Sequence, residues 1–197
     1  MKKLSFLVAA GLLLGCTTTQ TVQVPQEKEP KIKEIGEATS MKLLKTLGGE
    51  LLNAMQQGGP DQAVEVCSKK AMALTKQIEN ETGYSIKRTT FKYRNPANKP
   101  DKYEEEALKY FEEAIKSGKM PPYYVQAIKE NNKIVYRYYK PLKVEGLCLT
   151  CHGDPSLMDP NLVKKIKTLY PTDMAMGYKD GDFRGVVRVS IPEDKLK

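Results

Sequence analysis

Cys148, Cys151 and His152 stand in the pattern C-x-x-C-H. Two thiols three positions apart share one face of a helical turn. From there they can form thioethers with the two vinyl groups of one porphyrin, and the histidine that follows falls beneath the iron as an axial ligand. A C-x-x-C can instead serve zinc, a disulfide or a redox dithiol. Zinc normally takes four protein ligands, and the chain has neither a second C-x-x-C nor a histidine pair. A redox dithiol sits near the start of a βαβ unit, whereas this motif comes late, after a strand-like region. The expectation is one covalently attached haem c. His152 is the only histidine, so the second axial ligand must be of another kind.

Four cysteines are present: Cys16, Cys67, Cys148 and Cys151. Lys2 and Lys3 followed by the apolar run Leu4–Leu14 read as a secretory signal, residues 1–15. The run is short of the ~20 residues needed to span a bilayer. Leu13-Leu14-Gly15-Cys16 resembles a bacterial lipobox, which would make Cys16 a lipidated N-terminus. Haem c is attached on the exporting side of the membrane, so lipobox and haem motif agree. The expected location is the periplasmic side of a bacterial membrane, with the outer membrane an option because Thr17 rather than an acid follows Cys16. The net charge of +8 suits anionic headgroups or an acidic redox or signalling partner; in this compartment nucleic acid is not expected.

Cys67 is left over. As a buried cysteine it can simply fill core space. Met120, Met158, Met174 and Met176 compete as iron ligands, tyrosine is a further donor, and an open site is the remaining option.

These residues need a scaffold. Residues 16–36, rich in Thr, Gln, Lys and Glu with Pro25 and Pro30, read as a lipidated flexible tether. Met41, Leu44, Leu47, Leu51 and Met55 give a helix over 38–57 one apolar stripe. Gly58-Gly59-Pro60 ends it, and Val64, Cys67, Ala71, Leu74 and Ile78 form the buried seam of a second helix to about Asn80. Residues 84–90 read as a strand and 91–101 as a loop. Asp101 and Glu104 have capping-box spacing for a helix with Ala107, Leu108, Phe111, Ala114 and Ile115 inward. Asn131-Asn132 joins two runs of a hairpin, 123–129 and 133–142. After the haem motif come a short helix, 161–169, and a second hairpin, 174–179 with 184–191, around Asp180-Gly181. The order implies one α+β domain, residues 37–197, with an antiparallel sheet and helices to one side.

AVEVCSKKA (63–71), YRNPANKPDKYE (93–104), CLTCHGDP (148–155) and YPTDMAMGYKDGDFRG (170–185) occur in this order. Together they resemble the Tll0287-like haem-binding family over about residues 38–192. The resemblance implies a PAS-like antiparallel sheet flanked by helices, with an N-terminal helical extension. It also implies that the iron is held by His152 and by Cys67, which falls in the family's N-terminal helical block. Family members also serve as sensing modules of larger signalling proteins. The implied role is a redox or gas sensor, with a small tethered electron carrier as the alternative. An enzyme is not expected, since no acid–base pair accompanies the motif. Arg94, in the polar loop, is a candidate partner for a haem propionate. A thiolate from Cys67 would favour ferric iron and leave on protonation.

Overall fold

A computed structural model describes residues 20–130 and 132–196. The signal segment, Cys16 and Asn131 lie outside the described residues. The strands are β1 (Gln20–Val22), β2 (Ser85–Thr89), β3 (Tyr124–Glu130), β4 (Lys133–Lys143) and β5 (Phe183–Pro192), and the helices are α1 (Glu29–Thr82), α2 (Lys102–Lys116), α3 (Leu149–His152) and α4 (Pro160–Leu169). The strands form one antiparallel sheet in the order β1-β3-β4-β5-β2. The fold is α+β and PAS-like, with α1 as the N-terminal helical extension.

α1 is two arms, 29–57 and 60–82, that fold back on each other. Gly58 and Gly59 leave helical geometry, and Gly59 takes φ 66° and ψ −163°, a region open to glycine. Pro60 then starts the returning arm, where its missing N–H costs nothing. Lys42–Glu81 at 2.5 Å and Lys70–Glu50 at 3.1 Å join the antiparallel arms. Such surface pairs are worth ~0–1 kcal/mol each; the apolar contact of the arms with the sheet contributes more.

The sheet is covered on both faces, not one. Ile32, Leu43 and Ile78 of α1 pack on Ile86, Tyr136, Tyr138, Val187, Val189 and Ile191. On the opposite face Ala107, Leu108 and Phe111 of α2 pack on Tyr139 and Val186. Strand alternation explains this: every inward position of β5 is apolar toward α1, while Arg188 turns the other way to the buried Glu104 at 3.0 Å. The α2 capping box forms as the sequence implied, Asp101 accepting from Glu104 N and Glu104 from Asp101 N.

Three expectations change. First, the supposed tether is structured from Gln20. Gln20–Val22 pairs with β3, and α1 begins at Glu29 with Ile32 fully buried. Pro30, expected within the tether, stands in the first helical turn, where proline is favoured. Second, the buried stripe of the outgoing arm runs through Ile32, Gly36, Thr39, Ser40 and Leu43, and Met41 is exposed. Gly36 is the closest approach: a Cβ there would lie 2.1 Å from Tyr138 Cγ. Third, 174–179 is not a strand, because its backbone is used elsewhere, as described next. The first hairpin stands, with Asn132 at φ 63°. No helix among the described residues is long and apolar enough to cross a membrane.

Candidate functional site

A cleft of about 210 Å³ lies between the α1 arms, the end of the sheet and the haem-motif turn. Part of its lining is apolar: Leu51 and Met55 from the outgoing arm, Val64 and Met72 from the returning arm. Cys148, Cys151 and His152, from the turn that follows β4, line the same cleft, and Cys151 packs beside Val64. Cys67 lines it from the returning arm.

His152 is oriented by its neighbours. Its Nδ1 lies 2.7 Å from the Ala175 carbonyl. A carbonyl only accepts, so the proton sits on Nδ1 and Nε2 keeps its lone pair. Burial, with the charges of Arg94 and Arg184, pushes the imidazolium pKa down to about 3. The ring stands edge-on to Tyr178. A neutral imidazole with one nitrogen tied and the other free is a metal ligand in waiting.

The 173–178 loop holds this arrangement. Gly177 N donates to Gly153 O at 2.8 Å and Tyr178 N to His152 O at 2.9 Å. These bonds replace the strand pairing expected for 174–179. Asp173 Oδ1 accepts from Ala175 N at 2.8 Å and from Arg94 Nε at 3.2 Å. Its Oδ2 is 3.1 Å from Arg94 Nη2, a charge contact without hydrogen-bond alignment. Arg94 Nη2 donates to the Cys151 carbonyl at 2.6 Å. Arg94, expected to meet a propionate, therefore lines the cleft with its guanidinium engaged by protein acceptors. It clasps the motif turn to the loop that orients His152.

The helical spacing puts Cys67 on a buried seam. Val64, Ala71 and Ile78 of that seam are buried, yet Cys67 itself is exposed, because it opens into the cleft. Burial within the cleft raises its thiol pKa, and the guanidinium charges of Arg88 and Arg94 oppose that rise. Of the competing donors, Met174 is exposed and Met158 and Met176 pack beside α4; among the described residues the cleft methionines are Met55 and Met72. Tyr170 lines the cleft as well.

Sequence reading missed Arg88 and Arg184, which also face the cleft. The signal was present: Arg88 shares a strand face with the core residue Ile86, so an arginine occupies an inward position of β2.

A haem fits these residues. Three thiols, an imidazole, apolar side chains and three arginines line one cleft, with no carboxylate among the described lining residues. The chain belongs to the Tll0287-like family, whose model matches residues 16–192. The crystal structure of the cyanobacterial haem protein Tll0287 is similar in fold, with a TM-score of 0.61, 24% identity, and coverage of 86% of this chain and 98% of that one. No curated protein matches the chain.

Proposed function

We propose that the protein is an exported, lipid-anchored haem c protein with His/Cys axial ligation that acts as a redox or gas sensor module. The observation that carries the reading is the convergence of Cys148, Cys151, His152 and Cys67 on one cleft. Cys148 and Cys151 would hold the haem through thioethers, His152 Nε2 and Cys67 Sγ would be the donors to its iron, and Cys16 would carry the lipid. The solved relative's description as a haem protein supports the cofactor, and the C-x-x-C-H spacing supports its covalent attachment.

When bound, the haem supplies reversible one-electron exchange at its iron. The chain's own contribution is unequal ligation. His152 is locked by Ala175 and the Arg94–Asp173 clasp. Among the described residues no hydrogen bond locks Cys67 in the same way. As a thiolate it would stabilise ferric iron; protonated at Sγ it would be a poor donor. A hollow of about 30 Å³ adjoins Cys67, lined also by Glu50, Lys70 and Arg88. That is room for about one water. Departure of Cys67 would loosen the returning arm of α1, a surface that a redox or signalling partner can read.

Optical spectra of the reduced protein with and without CO test the reading. A sensor gives a CO adduct as Cys67 leaves. A reduced spectrum unchanged by CO contradicts it and leaves tethered electron transfer as the function.

A further inference from the structure

Charges inside a protein are paired, because desolvation without a partner is costly. Three arginines line the cleft. Arg94 has Asp173. Arg184 donates from Nη1 to the Lys92 carbonyl at 3.3 Å and lies over the Tyr178 ring, 5.1 Å from its centroid. These contacts satisfy a donor without neutralising the charge. Arg88 has no hydrogen-bond or ion-pair partner among the described residues.

The position of Arg88 is fixed by its strand. It pairs with Val187 in β5, and alternation turns it toward α1 with Ile86. Its neighbour Lys87 turns to the other face and finds Glu104 at 2.6 Å. The protein thus answers the charge of Lys87 internally and leaves that of Arg88 facing the cleft. Two uncompensated guanidinium groups on one cleft call for two negative charges on its ligand.

We propose that Arg88, with Arg184, seats the two propionate carboxylates of the haem, while Arg94 serves as a positioning residue for His152. The proposal rests on the haem reading above. A guanidinium matches a carboxylate in shape and can bond it through two parallel N–H donors. The propionate edge would then lie toward β2 and the start of β5.

The test uses the full chain with Cys148→Ala and Cys151→Ala, which makes haem binding reversible. This protein is titrated with iron protoporphyrin and with its dimethyl ester, whose propionates carry no charge. Adding Arg88→Gln is expected to weaken binding of the free acid roughly ten- to a hundredfold, the range of a charge-assisted hydrogen bond, and to leave the ester almost unaffected. Arg88→Lys should recover part of the loss, and Arg184→Gln should repeat the pattern. Equal binding of acid and ester by the parent, or equal weakening of both by Arg88→Gln, overturns the proposal. Failure of the parent to bind either porphyrin, with the fold intact by circular dichroism, overturns the haem reading itself. Should the alanine background not fold, the covalent protein decides. Its propionate bending bands in resonance Raman spectra should shift in Arg88→Gln, and unshifted bands overturn the proposal.

Discussion

Asp173→Ala is the substitution that separates a structural clasp from a bystander. The carboxylate is 3% exposed and its partner Arg94 is 12% exposed. The change removes the acceptor for Arg94 Nε and for Ala175 N together. It leaves a nearly buried guanidinium without a counter-charge. Breaking one side of such a pair costs about 3–5 kcal/mol. With a urea slope of ~2 kcal/mol/M, the midpoint should fall by about 2 M. For a chain of this size that is a drop in Tm of about 6–20 °C. The assay is urea unfolding of the haem-loaded protein, followed by far-UV circular dichroism. The double variant Arg94→Leu/Asp173→Ala should be less destabilised than Asp173→Ala alone, since it also removes the stranded charge. A loss under about 1 kcal/mol, or a double variant worse than the single by the full cost of Arg94, would refute the clasp.

Two further outcomes follow from the same contacts. Gly36→Ala places a Cβ 2.1 Å from Tyr138 Cγ and should destabilise the protein by about 1–3 kcal/mol or more, read from the denaturation midpoint. In the haem-free Cys148→Ala/Cys151→Ala protein, burial and the charges of Arg94 and Arg184 hold His152 at a pKa of about 3 against its ordinary 6.5. Between those values the unfolded chain binds a proton that the folded state refuses, so stability falls as pH drops through 6.5 toward 3, by at most ~1.4 kcal/mol per pH unit. His152→Gln should flatten that component, and parallel stability–pH curves for the two proteins would contradict it.

Elements whose signals are local were legible in the sequence. Asp101 and Glu104 announce the start of α2, and Asn132 the turn between β3 and β4, because capping and positive φ are decided within a few residues. Cys67 was legible as a leftover thiol, though not as one lining a cleft: its helix neighbours Val64 and Ala71 are buried, and the fold-back at Gly58-Gly59 brings both arms to the cleft that the haem motif lines. Two readings failed for one reason. Pro30 and residues 174–179 were judged by local propensity, while tertiary partners decided them. Ile32 docks on the sheet and starts a helix through a proline. Gly177 and Tyr178 spend their N–H groups on the motif turn, so they form no ladder with β5. Arg94 lies far in sequence from Asp173 and Ala175, and no spacing rule joins them.

The central claim is that His152 and Cys67 are the two axial donors to one covalently held haem. Electron paramagnetic resonance of the ferric protein, wild type against Cys67→Ser, tests it most directly, with mass spectrometry confirming that haem stays attached in each. The account predicts a low-spin thiolate signal in the wild type that is lost in Cys67→Ser while the covalent haem remains. An unchanged low-spin signal in the variant would remove Cys67 from the iron and contradict the account.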